Sequence, residues 1–118
     1  MNVDVYAKDC PSRQILDRIG DTWSVLIVGS LAGGSRRYTE LAKRIGGISP
    51  KMLTQTLRAL ERDGLIGRTV HAVVPPRVDY ALTPLGRSLL DLVGALETWA
   101  EGHIEDVLDA RAKYDAQP

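Results

Sequence analysis

Lys51, Thr54, Gln55, Arg58 and Arg62 recur at i, i+3, i+4, i+7 and i+11, the spacing at which side chains share one face of an α-helix. Each can donate a hydrogen bond, three carry a positive charge, and no carboxylate interrupts them, since Glu61 and Asp63 fall off the stripe. An ordinary solvated helix face mixes acids among its bases to gain ion pairs, so a stripe without acids suits a polyanion. In the major groove of a DNA duplex, Gln and Arg can bond adenine and guanine edges bidentately while neighbouring cations meet phosphates. Leu53, Leu57 and Leu60, aided by Met52, lie on the opposite side and must anchor the helix in a core.

The elements that position this stripe are signposted. Ser49 is a favourable N-cap with Pro50 at the first helical position, and Gly64 accepts the left-handed conformation that follows a helix end at Asp63. A short helix from Tyr38 to Ile45 precedes it across the Gly46-Gly47 turn, with Leu41, Ala42 and Ile45 expected to face inward. Further upstream, Pro11 opens a helix of about ten residues with Ile15, Leu16 and Ile19 at helical spacing. Gly20 ends it, and Asp21 or Thr22 caps a second helix through Trp23 to Leu31, apolar on most sides and therefore buried. Past Gly64 the period falls to about 2, so Ile66 to His71 and Val78 to Leu82 read as a β-hairpin. Its connection, Ala72-Val73-Val74-Pro75-Pro76, should project as a stiff loop because two prolines cannot donate to a ladder. Thr83-Pro84 repeats the cap-plus-proline signal. One long helix is expected from there, with Leu85, Leu89, Leu92, Leu96 and Trp99 on a stripe and Ile104, Val107 and Leu108 beyond Gly102. The expected fold is mainly α: five or so helices, a two-stranded β wing and a long C-terminal helix.

Charge supports the same division. The 118 residues carry 15 basic and 15 acidic side chains, but residues 35–68 hold eight basic and three acidic ones, whereas residues 88–118 hold two and seven. Around the acid-free helix, Arg36 and Arg37 stand just before the short helix and could clamp a phosphate, as could that helix's amino end. Arg68, His71 and Arg77 are the cations of the hairpin, which can lie along the backbone or reach a minor groove. Their plainer reading is solvated strand residues, and for His71 taken alone that reading is preferred. The expected DNA-contacting set is thus Ser49, Pro50, Lys51, Thr54, Gln55, Arg58 and Arg62 on the helix, with Arg36, Arg37, Arg68, His71 and Arg77 around it.

Several runs in order carry a family resemblance: Cys10-Pro11, Ile19-Gly20 followed by Trp23, Arg37-Tyr38-Thr39-Glu40-Leu41, Ile48-Ser49-Pro50-Lys51-Met52-Leu53-Thr54, Leu57 to Leu65, Val74 to Tyr80 and Leu82 to Gly86. Over about Cys10 to His103 the chain resembles the HxlR-type winged helix-turn-helix regulators. The resemblance implies a dimeric bacterial transcription regulator with its fourth helix in the major groove and its first and last helices forming the dimer. Two positions depart from the family pattern: Asp21-Thr22 stands where Gly-Lys is usual, and Tyr38 where Phe is usual, the latter expected to be a mild core change.

A dimer also follows from size, because one winged domain buries too little duplex for useful specificity, and two-fold pairing matches half-sites about 34 Å apart. Ile15, Leu92, Leu96 and Trp99 are the expected interface, residues 8–20 and 84–115 the dimerisation helices, and about 22–83 the DNA-binding core of a single 1–118 domain. The lone Cys10 precedes a helix dipole that favours a thiolate. Some HxlR-type regulators sense oxidants through a cysteine at this position, so the resemblance makes Cys10 a candidate thiol switch. The plainer reading is a small buried residue. A single cysteine, an opening segment without a secretory pattern and no long apolar run point to a reducing cytoplasm and no membrane span. Enzyme chemistry lacks support: the only histidines are His71 and His103, and there is no HExxH, paired-cysteine zinc motif, phosphate-cradling glycine loop or nucleophile elbow. No cofactor or metal is implied. The remaining rival is a winged-helix module that binds another protein instead of DNA.

Overall fold

The side chain of Asp21 accepts the Ser24 N–H at 3.3 Å and starts the helix on which the rest of the chain packs. The computed structural model describes residues 1 and 3–118, so Asn2 in the opening segment lies outside the described residues. In chain order the elements are α1 (Pro11–Ile19), α2 (Thr22–Ser30), β1 (Arg36–Arg37), α3 (Tyr38–Arg44), α4 (Pro50–Arg62), β2 (Ile66–His71), β3 (Arg77–Leu82), α5 (Pro84–Arg87) and α6 (Leu90–Asp115). Ile27, Val28 and Leu31 meet Leu41 and Ile45 near α3, Leu53, Leu57 and Leu60 of α4, Ile66, Leu82, and Val93 of α6 in one buried cluster. Each fully buried side chain of this size contributes roughly 1.5–3 kcal/mol, which is what seats α4 with its polar stripe outward.

Both ends of α4 are chemically fixed. Ser49 Oγ accepts the Met52 N–H at 3.1 Å. At the other end Gly64 has φ +76°, the Leu65 N–H reaches the Leu60 carbonyl at 3.0 Å, and the Gly64 N–H reaches that of Glu61 at 3.0 Å. This paired closure places Leu65 back in the core.

The structure corrects the sequence reading at four points. The sheet has three strands in the order β1-β3-β2, because Arg36 and Arg37 pair antiparallel with Tyr80 and Asp79. Two residues are too short to show a period. β3 begins at Arg77, opposite His71. Ala42 is exposed; on α3 only Leu41 is buried. The last helix is two: α5 is a single turn whose Thr83 Oγ1 accepts the Gly86 N–H at 3.0 Å and donates to the Gly64 carbonyl at 2.6 Å. Gly86 lies so close to Leu65 that a Cβ built on it would stand 1.9 Å from the Leu65 carbonyl oxygen. That close approach sets the path of α5, and the helix is interrupted at Ser88 and Leu89 before α6 begins. Leu85 is therefore exposed away from the α6 stripe, while Leu89 and Leu90 pack on the core.

α6 does not stay with the core. Its 26 residues span about 39 Å, and the radius of gyration is 17.3 Å, against about 13.5 Å for a compact chain of this length. Beyond Trp99 almost every residue of the helix is exposed.

Candidate nucleic-acid interface

On α4, Lys51, Gln55, Arg58 and Arg62 are exposed and Thr54 is half-buried, while Leu53, Thr56, Leu57 and Leu60 are buried on the other side. Among the described residues, no ion pair involves Lys51, Arg58 or Arg62. Ser49 and Pro50 are exposed at the helix start, where Ser49 Oγ accepts the Met52 N–H and the Pro50 carbonyl accepts the Tyr38 hydroxyl at 3.1 Å. The same hydroxyl lies 3.3 Å from Thr54 Oγ1. Tyr38, expected to be a mild core change, thus reaches the edge of the polar stripe.

The cations around α4 are held differently. In the register of the sheet, Arg36, Tyr80 and Arg68 form one cross-strand row, and Arg37, Asp79 and Thr69 the next, on the opposite face. Arg68 Nε lies 4.0 Å from Glu61 Oε2 on α4. His71 Nε2 lies 2.8 Å from Asp79 Oδ2, and Arg77 Nε 3.5 Å from Asp79 Oδ1. That last contact is electrostatic, since Arg77 Nε is buried without a hydrogen-bond partner among the described residues. All three hairpin cations therefore face a carboxylate. Arg36 Nε donates to the Ser30 carbonyl at 2.7 Å, closing the end of α2. Arg37 is exposed, and its N–H donates to Glu40 Oε1 at 2.9 Å, so the amino end of α3, read as a phosphate cradle, already holds a carboxylate.

Asp79, Glu61 and Glu40 are the functional neighbours that the sequence reading passed over. The period of 2 put Asp79 on the face of Arg77, which was the available signal; the Glu61 to Arg68 contact crosses elements and had none. Burial pushes the pKa of the Tyr80 hydroxyl up, against the lowering charge of Arg68. The hairpin tip projects as expected: Val74 is fully exposed, and a cleft of about 470 Å³ separates residues Val73–Val78 from Arg37, Tyr38 and Thr39.

A second surface lies on α1 and α6. No residue of α1 is buried, and Ile15, Leu92 and Leu96 are 37%, 47% and 47% exposed. Trp99 is 59% exposed and stacks on His103 with ring centroids 4.7 Å apart. Arg18 of α1 bonds Asp63, the C-cap of α4, at 3.0 Å. Cys10, just before α1, is 2% exposed, and its carbonyl accepts the Arg13 N–H at 3.0 Å and the Gln14 N–H at 3.3 Å.

The HxlR-like helix-turn-helix family model matches residues 18–107. The chain belongs to that family. It is 44% identical over 108 residues to the HTH-type transcriptional regulator YtfH of Escherichia coli strain K12, covering 92% of this chain and 86% of that one. The solved structure of the transcriptional regulator YtfH from Salmonella typhimurium superposes with a TM-score of 0.87 at 44% identity, covering 92% and 97% of the two chains. The redox regulator HypR in its reduced form gives a TM-score of 0.75 at 37% identity over 85% of this chain and 98% of HypR. The expected winged helix-turn-helix architecture is thus that of an HxlR-type chain, with a three-stranded sheet and a long C-terminal helix.

Proposed function

We propose that this HxlR-type protein is a DNA-binding transcription regulator that acts as a homodimer on a pseudo-palindromic operator. The observation that carries the reading is the acid-free face of α4, which presents Lys51, Gln55, Arg58 and Arg62 to solvent with no carboxylate against them among the described residues. Those four residues enter the major groove, where Gln55 and Arg58 read base edges and the remaining cations meet phosphate. Residues 22–83 form the DNA-binding core. Arg37 adds a phosphate contact, while Arg36, Arg68, His71 and Arg77 first serve the fold. Membership of a family of transcriptional regulators supports the same reading.

The dimer is supported by Ile15, Leu92, Leu96 and Trp99, apolar side chains left exposed on two helices that their own core does not cover. Residues 8–20 and 84–115 supply the interface, and the acidic end of α6 points its charge away from DNA. No described helix is long and apolar enough to cross a membrane, consistent with a cytoplasmic regulator. A gel-shift scan of the DNA flanking the protein's own gene, at two salt concentrations, tests the reading. Binding that weakens steeply with salt supports it; no retardation at low salt, or a salt-insensitive complex with another protein, favours the interaction module instead.

Control through Cys10 is the finer part of the proposal. Its position before α1 and the likeness to HypR, solved in oxidised and reduced forms, favour it. Because Cys10 is buried, reaction requires the segment ahead of Pro11 to open. With one cysteine per chain, the products are a bridge between subunits, a mixed disulfide or an alkylated thiol. If Cys10→Ser releases DNA on diamide treatment as the wild type does, thiol control at this residue is wrong.

A further inference from the structure

The stripe on α4 is not uniform, and Tyr38 is what divides it. The Tyr38 ring is half-buried at the start of α3, packed against the core, and its hydroxyl meets the first turn of α4 at two atoms, the Pro50 carbonyl and Thr54 Oγ1. In an α-helix the Pro50 carbonyl also receives the Thr54 N–H, so the phenol bonds both residues of a pair already joined within one helical turn. The phenolic hydroxyl has a single hydrogen to donate. When that hydrogen goes to the Pro50 carbonyl, which can only accept, the Thr54 hydroxyl must donate to the phenolic oxygen, and its own hydrogen is spent inside the protein.

We infer that Tyr38 is a positioning residue for DNA recognition: it fixes how α4 sits on α3 and turns the Thr54 hydroxyl from a base-reading group into part of the mount. Specificity then resides in Gln55 and Arg58, which flank Thr54 on the stripe and make no hydrogen bond with Tyr38 among the described residues. This rests on the DNA-binding reading of α4, and the test separates the two.

A duplex is first selected from a randomised pool by the wild-type protein, and affinities for it and for random duplex are then measured for Tyr38→Phe, Thr54→Val, Thr54→Ser and the double variant Tyr38→Phe/Thr54→Val. The expected result is a three- to tenfold loss, about what one hydrogen bond contributes, on the selected duplex only for Tyr38→Phe and Thr54→Val, with random-duplex affinity and salt slope unchanged. Thr54→Ser keeps the hydroxyl and binds as the wild type. The double variant loses no more than Tyr38→Phe alone, because the two single changes break a shared contact. A purely structural role would lower the melting temperature without moving the ratio of selected to random affinity, and would overturn the inference. So would additive losses, with Thr54→Val relaxing preference at one base pair while Tyr38→Phe does not. A wild-type protein that selects no duplex overturns the DNA-binding reading itself, and this inference with it.

Discussion

Asp79→Asn should make the protein bind DNA in a more salt-dependent way, and the size of the change can be worked from the charge pairing. Four cations near the proposed groove, Arg37, Lys51, Arg58 and Arg62, make no ion pair among the described residues, whereas Arg68 and Arg77 each face a carboxylate. With about one counterion displaced by each unpaired cation brought to the duplex, whether it ends on a phosphate or on a base edge, a dimer displaces about eight, and log K falls with log salt at a slope of roughly −7. Affinity then drops about 10⁴-fold between 50 and 200 mM salt. Had Arg68 and Arg77 been equally available, the slope would be about −11 and the drop more than 10⁶-fold. Asp79→Asn keeps the shape of the side chain and removes the charge 3.5 Å from Arg77 Nε, releasing up to about two cations per dimer and steepening the slope to roughly −9. Fluorescence anisotropy of a labelled duplex across that salt range reads both slopes. A wild-type slope near −11 would show the hairpin cations already on phosphate. An unchanged slope in the variant would show that Asp79 does not hold Arg77 back. Either result refutes the division of labour between α4 and the hairpin.

Three further outcomes follow from the geometry. Gln55→Ala should cost about 1–3 kcal/mol on the selected duplex and little on random DNA, while Lys51→Ala weakens both alike; equal losses for Gln55→Ala on both duplexes would remove it from base reading. Leu96→Asp combined with Trp99→Ala should convert a dimer mass into a monomer mass by light scattering at micromolar concentration, and a wild-type monomer there would end the dimer proposal. Gly86→Ala places a Cβ against the Leu65 carbonyl oxygen and should cost about 2 kcal/mol or more, roughly 8 °C in the thermal midpoint; an unchanged midpoint would show that α5 is not tightly seated.

Patterns confined to one element were legible in the chain itself. The leucines of α4 at i, i+4 and i+7 and the polar residues between them specify both of its faces, and Ser49, Pro50 and Gly64 specify its ends, all within a few residues. What escaped depends on contacts between elements. β1 is two residues long and exists only because β3 runs beside it. The break between α5 and α6 follows from Gly86 meeting Leu65, twenty-one residues earlier; the leucine spacing alone reads straight through it. Pairing of Arg68 with Glu61 likewise needs the hairpin folded onto α4, and that of His71 with Asp79 needs its two strands in register. Counting cations by segment overstated the number available to DNA for that reason.

Pairing also explains how a chain of zero net charge can offer a positive face. The carboxylates of Glu61 and Asp79 quench the hairpin locally, and those of α6 sit on an arm that leaves the core, so neither group lies on the α4 stripe. The orientation of that stripe is set from both ends: Tyr38 holds the first turn of α4, and Arg18 holds its C-cap through Asp63 at 3.0 Å. The second tie has a particular consequence, because Arg18 lies on α1, the helix proposed for the dimer interface and the one that Cys10 precedes. A partly exposed ion pair of this kind contributes about 1 kcal/mol or less to stability, too little to hold the fold but enough to bias the tilt of a helix whose bases must meet DNA in register. Displacing α1, whether by rearranging the dimer or by modifying the thiol ahead of it, would pull on the end of α4 directly. Arg18→Ala should therefore leave the dimer and the melting temperature nearly unchanged while uncoupling DNA affinity from the state of Cys10. A variant that still releases DNA on oxidation as the wild type does would place the coupling elsewhere.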